Sequence, residues 1–252
     1  MVLALLVLAL AIPAAAAEEF ELPNTNTEPT MVIINSNKWQ DAYLASIYST
    51  LNGYNLRFIL DPFQTNEFMQ ELSTNRQITK VILFSRKDSA VPSLTYLLHS
   101  QNLDVREYAF EDHHDLGVQM LGMIPSEKVV VIRDDFAFDA LSAKYLAQEL
   151  KAPVVFSKGA EEMDGRVMDA LNSRRTSTVY LVGRPSPKLE AMLANFNLNK
   201  LQGRDEYDTN NMVNQLALGD QKMVQGTITT GDMYELALMN LINQPIFLVP
   251  EF

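Results

Sequence analysis

Apolar residues along this chain follow two rhythms: short unbroken runs, and longer stretches where they return every three or four positions. From Val129 the chain reads VVVIRDDFAFDALSAKYLAQELKAPVVFSKG. Val129–Ile132 is a buried-strand run, and from Phe138 to Leu150 the residues Ala140, Ala143, Leu146, Ala147 and Leu150 share one helical face. Pro153 resets the chain before a short strand at Val154–Phe156. A polar helix is predicted over Glu162–Asn172, a strand over Thr178–Gly183, and a helix near Pro187–Asn195. A short segment around Leu198–Leu201 follows, and YDTNNMVNQLAL reads as a closing helix. Strands alternating with helices of about ten residues imply right-handed crossovers and a mostly parallel sheet covered by helices. The fold class is α/β, flavodoxin- or Rossmann-like.

The same sentence appears upstream, from Met31, as MVIINSNKWQDAYLASIYSTLNGYNLRFILDP, and begins again at Met223. Asp41-Ala42 and Asp139-Ala140 stand 98 residues apart, as do Met31 and Val129. That spacing is the length of a small domain rather than of a solenoid repeat. In the first copy MVIIN, LRFIL, KVILFS and LDVREY are the strands. The expected organisation is one module over 31–125, a second over 126–220, and a partial third over 221–252. The third is predicted as strand–helix–strand, with Leu236, Leu238, Met239 and Leu241 seeking a partner. A piece of that length cannot close its own core, so it either packs on the second module or belongs to a longer chain, and the second option is favoured.

Composition changes this picture at the N-terminus. Residues 2–17 carry no charge and end in Ala15-Ala16-Ala17, which reads as a signal peptide over 1–17, cleaved after Ala17, with a linker over 18–30. The run is too short for a good membrane span, so no integral membrane segment is expected. The chain is 47% hydrophobic and 20% charged, enough to bury a core. It has no cysteine, which excludes disulfides, thiol catalysis and thiolate metal sites. Net charge is −11, concentrated in residues 18–125 at −7 against −1 in 126–222. An acidic chain of this kind is a poor nucleic-acid binder, whereas its locally basic middle could dock an anionic partner.

FAFDALSAKYLAQELKAPVVF resembles the opening of the cell-wall-binding type 2 repeat, with its Asp-Ala-Leu helix start and its Ala-Pro before the next strand. VYLVGRPSPKLEAML is similar to that family's Val-Tyr-x-x-Gly strand, and LQGRDEYDTNNMV to its closing Gly-x-Asp-x-Tyr-x-Thr signature. The matching positions are Asp139, Ala140, Leu141, Ala152, Pro153, Gly183, Gly203, Asp205, Tyr207 and Thr209. The first module matches loosely: Asp41-Ala42 is present, Asn55 replaces the proline, and DVREYAFED replaces the closing signature. Arg184 stands where the family commonly has a second glycine. The resemblance implies a secreted, non-catalytic, cell-surface protein whose modules, usually in threes, attach it to cell-wall or envelope polysaccharide, often anionic. Its partners would be that polymer and further modules of the same chain or copies of itself.

Candidate chemistry lies where strands give way to helices. Asp41 and Asp139 read as caps of their helix starts, with direct ligand contact as the alternative. Asp208 and Thr209 read as a cap for the closing helix. Ligands of parallel sheets sit outside the carboxyl ends of the strands. Those ends offer Arg133, Lys158 and Arg184 in the second module and Lys38, Arg86 and Lys87 in the first. Such cations could meet an anionic polymer on one rim, or Arg133 and Arg184 could pair with local acids such as Asp134 and Asp135. Arg174 and Arg175 read as loop residues. Glu111–Asp115, EDHHD, carries two adjacent histidines, which point apart on a regular helix or strand; it reads as a polar helix start, and no metal site is expected. His99 stands alone in the sequence and reads as structural. Trp39 and Tyr43 could stack on a sugar, though core packing is the default. There is no G-x-G-x-x-G, P-loop or G-x-S-x-G element, so neither a cofactor nor catalysis is expected. The rival reading is a periplasmic-type solute receptor with two α/β lobes. An α/β hydrolase lacks its nucleophile constellation.

Overall fold

The computed structural model describes residues 30–74, 77–89, 91–220, 226–229 and 244–250. The leader expected over 1–17 and all but the last residue of the linker expected over 18–30 lie outside them, as does the apolar set Leu236, Leu238, Met239 and Leu241; Thr30 opens the first strand instead. The first sheet comprises β1 (Thr30–Asn35), β2 (Asn55–Ile59), β3 (Lys80–Arg86) and β4 (Asp104–Phe110), in the order β2-β1-β3-β4 and parallel throughout. Its helices are α1 (Trp39–Asn52), α2 (Pro62–Thr74), α3 (Leu94–Ser100) and α4 (His113–Met123). The second sheet contains β5 (Lys128–Arg133), β6 (Val154–Lys158), β7 (Glu162–Met163), β8 (Thr178–Val182) and β9 (Asn197–Leu201), in the order β7-β6-β5-β8-β9. Its helices are α5 (Ala137–Glu149), α6 (Gly165–Ser173), α7 (Pro187–Met192) and α8 (Glu206–Leu218).

Register repeats with the topology. Met31 pairs with Asn55 and Val130 with Val154, 24 residues on in both cases. Met31 pairs with Val81 and Val129 with Val179, 50 residues on in both. The central strands are unbroken apolar runs because helices cover both their faces. Each sheet draws its strands from one continuous stretch, with none exchanged between the two.

The extra strand β7 departs from the helix predicted over Glu162–Asn172. Glu162 and Met163 pair antiparallel with Lys158 and Ser157, and the helix begins only at Gly165. Asp164 sets that start, its carboxylate accepting from the Arg166 N–H at 2.9 Å.

Alternate residues along each central strand serve different cores. Met31 and Ile33 pack with Phe68, Leu72 and Leu94 on the outer face of the first sheet. Val129 and Val131 pack with Val167, Leu171 and Leu189 on one face of the second. Val32, Ile34, Val130 and Ile132 join one shared core with α1, α4 and α5. Within it Phe156 of β6 receives Trp39 edge-on at 5.6 Å and Tyr43 at 6.0 Å. Tyr43 is therefore a core residue of the seam between the sheets, and the partly buried Trp39 packs against that core. So placed, α1 is buried without interruption from Asp41 to Ser49.

The seam is built twice. Helices α1 and α4 lie against β6, and α5 and α8 lie against β11 (Ile246–Leu248), which pairs in parallel with β10 (Thr227–Thr229). Asn210 fixes the second seam: its side-chain amide donates to the Ile246 carbonyl at 2.9 Å, and its oxygen accepts from the Leu248 N–H at 3.0 Å. Among the described residues no helix is long and apolar enough to cross a membrane.

Candidate functional site

At the carboxyl end of each sheet a buried carboxylate stands in the helix that follows the sheet's first strand. Asp41 is fully buried and Asp139 is 3% exposed, both in the first turn of the helix after the first strand. Neither is a cap. The residues at the cap positions are Lys38 and Phe136, and they make no capping side-chain bond. The carboxylates meet arginines instead. Asp139 accepts from Arg133 Nε at 2.7 Å, while Asp41 accepts from Arg86 at 3.1 Å and from the Ser36 hydroxyl at 2.6 Å.

The two cations come from different strands. By the 98-residue offset Arg133 corresponds to Asn35, and Arg86 to Arg184. Asn35 is buried and bonded to Ser85 and to the Val91 carbonyl, so the first unit must bring its cation from β3. Burial pushes both carboxyls above their ordinary value, against the pull of Arg133 or of Ser36 and Arg86; Asp139 rises to about 6.

With Arg133 occupied by Asp139, Arg184 is left exposed and without an ion-pair partner among the described residues. The two arginines, Phe136, Asp139, Gly183, Glu206 and Thr209 line a cavity of about 170 Å³. The Arg133 guanidinium stacks 4.5 Å above the Phe136 ring, and Phe136 leans on Phe138 at 5.2 Å. This half-buried aromatic, absent from the sequence-based candidates, is the cavity's apolar wall.

The other candidate cations do not join this cavity. Lys158 pairs with Asp164 at 3.1 Å, and Arg166 bridges Asp164 to Asp112. That bonding to Arg166 holds the Asp164 carboxyl well below the usual range. Arg86 is held by Asp41 and Asp88, Lys87 pairs with Glu111 at 2.6 Å, and Lys38 is exposed at the start of α1. Arg174 lies in the turn between α6 and β8, as expected, but it is anchored there: it donates to the carbonyls of Leu121, Ile124 and Ser126.

The closing signature is a folded turn. Asp205 caps α8 by accepting from the Asp208 N–H at 2.8 Å, and Asp208 accepts in return from the Arg204 N–H at 3.0 Å. The Thr209 hydroxyl accepts from the Gly203 N–H at 2.9 Å, and Tyr207 packs against the shared core. A Cβ on Gly203 would lie 2.4 Å from the Thr209 nitrogen, so only glycine fits. Elsewhere in the repeat pattern, Ala140 is fully buried, and the Pro153 carbonyl accepts from the Val130 N–H. EDHHD builds the same turn in the first unit: Asp112 accepts from the Asp115 N–H at 2.8 Å, and Asp115 from the Glu111 N–H at 3.0 Å.

In that turn the two histidines do not point apart. Their rings lie 4.1 Å apart, with Nε2 of His113 and of His114 at 3.2 and 3.6 Å from one carboxylate oxygen of Asp134. The rule for regular elements fails here at the first two positions of a helix, where Asp134 reaches both rings from the turn after β5.

No protein-family model matches the chain, and no curated protein matches it significantly. Among solved structures it is similar to Cwp6 from Clostridium difficile, with a TM-score of 0.73 and 17% identity over 88% of this chain and 38% of that one. It is also similar to Cwp8 from Clostridium difficile, with a TM-score of 0.62 and 15% identity over 88% of this chain and 40% of that one. The chain thus spans less than half the length of either protein. At these identities the likeness establishes the fold: α/β, with mostly parallel sheets covered by helices.

Proposed function

We propose that this is a non-catalytic, secreted cell-surface protein of the cell-wall-binding type 2 kind. Its units, 31–125, 126–220 and a partial third over 221–252, attach it to an anionic envelope polysaccharide. The observation that carries this reading is the cavity at the carboxyl ends of β5 and β8, where exposed Arg184 stands beside Phe136 and Arg133. A cation without an ion-pair partner among the described residues, beside an aromatic wall, suits a charged sugar: the first meets the anionic group, the second the ring. Arg133 shapes the cavity, but its charge is spent on Asp139. The shared fold of the two cell-wall proteins supports the same reading. A solute receptor with interleaved lobes is disfavoured, since each sheet here is built from one continuous stretch of chain.

The test is co-sedimentation of the protein with isolated wall polysaccharide. Arg184→Glu and Phe136→Ala should each weaken binding about tenfold, and binding should fall as salt is raised. Arg175→Glu, at an exposed position away from the cavity, should bind as the unmodified protein does. Equal losses in all three variants, or binding indifferent to salt, would remove the cavity from the proposal.

A further inference from the structure

We propose that His113, His114 and Asp134 form a binding site for a divalent transition ion of the zinc class, joining the first sheet's α4 to the loop after β5. The three side chains each offer one ligand atom, and these atoms all lie within 4.8 Å of one another. Ligands held about 2.0–2.1 Å from a tetrahedral zinc ion stand roughly 3.3–3.4 Å apart. The two nitrogen–oxygen separations, 3.2 and 3.6 Å, bracket that figure.

The second observation is His114 itself. It is 6% exposed, and its Nδ1 is buried without a hydrogen-bond partner among the described residues. Its Nε2 faces Asp134 at 3.6 Å, too long for a good hydrogen bond and suitable for two ligands of one ion.

The surroundings hold the ligands in place, as outer partners of metal ligands do. The other carboxylate oxygen of Asp134 accepts from the Gly159 N–H at 2.8 Å, and its backbone carbonyl accepts from Gln40 at 3.0 Å. The His113 ring rests edge-on against Phe156 at 5.4 Å. Two imidazoles and one carboxylate favour zinc over calcium or magnesium, which take oxygen ligands. The side chains of His113 and Asp134 are 19% and 20% exposed, so water can complete a fourth position. The inference is independent of the polymer reading, because Arg184 and Phe136 take no part in it.

The experiment is zinc titration of the full chain after chelator treatment, followed by calorimetry and by the visible absorption of bound cobalt(II). The expected result is one zinc ion per chain, a cobalt spectrum of tetrahedral type, and a higher melting temperature with zinc. His114→Gln and Asp134→Asn should each abolish the cobalt bands, while His99→Gln keeps them. Should those two variants fail to fold, pulsed electron paramagnetic resonance of copper(II) on the unmodified protein counts the imidazoles. Two coordinated imidazoles support the site; one or none overturns it. No stoichiometric binding, or binding that survives His114→Gln and Asp134→Asn, overturns it as well.

Discussion

A Cβ on Gly183 would lie 2.2 Å from a carboxylate oxygen of Asp139, and Gly183 has a φ of +101°. The glycine is there for two reasons: a backbone conformation that side chains resist, and the close approach of a buried carboxylate. Gly53, at a φ of +68° with nothing within 4 Å, carries only the first reason. Gly53→Ala should therefore cost about 1 kcal/mol in urea unfolding, and Gly183→Ala about 3 kcal/mol or more. Adding Asp139→Ala to Gly183→Ala should cost less than the two changes taken separately. Equal costs for the two glycine variants would show that the carboxylate yields freely.

Asp139 also sets a pH dependence. Burial raises its carboxyl to about 6, Arg133 draws it down, and Asp135 and Glu206 push it up again. Between pH ~4 and ~6 the folded chain keeps a proton that the unfolded chain has released, so this group's contribution to stability is lost as pH rises through that window. The unfolding free energy of the unmodified protein, compared with Asp139→Asn, should fall by roughly 2–3 kcal/mol between pH 4 and 6 and then run level. Asp164, held low by Arg166, acts in the opposite sense and only at more acidic pH. Parallel curves for the two proteins across the window would reject the assignment.

Arg174 fans its guanidinium across three carbonyls, one in the last turn of α4 and two in the connection from α4 to β5. Arg174→Ala strips all three of a donor and should cost about 2–4 kcal/mol. Arg174→Lys should recover less than half, because one ammonium cannot reproduce a planar fork. Arg175→Ala, next door and exposed, should stay within about 0.5 kcal/mol of the unmodified protein. Chemical denaturation of the three variants decides the matter, and a neutral Arg174→Ala would contradict it.

Asn210 should control the protection of β11. Its loss removes a donor to the Ile246 carbonyl and an acceptor from the Leu248 N–H. In Asn210→Ala the Leu248 amide should exchange with deuterium at least ~10-fold faster, with the Val130 and Val131 amides of β5 unchanged. Exchange at Leu248 that does not change would mean that packing alone holds the strand.

The strands were legible where four apolar residues run together, as in Val129–Ile132, because a doubly covered strand needs nothing but apolar side chains. Repetition of that run then fixed the order of elements. Helix α5 was read as one-faced from Ala140, Ala143 and Leu146, yet Ser142 and Lys144 are buried too, because β11 and α8 cover its other side. Strand β7 is two residues long, too short to show a period. Asp41 looked like a cap because its partner Arg86 lies 45 residues away, on a strand whose neighbour is known only once the sheet is folded. His113, His114 and Asp134 were hidden for the same reason: their meeting is made by two sheets, and no spacing within either announces it.

Asn210 grips β11 wholly through peptide groups, one carbonyl and one N–H. A grip of that kind reads the backbone rather than the side chains, so a change of side chain at Phe247 leaves both bonds in place.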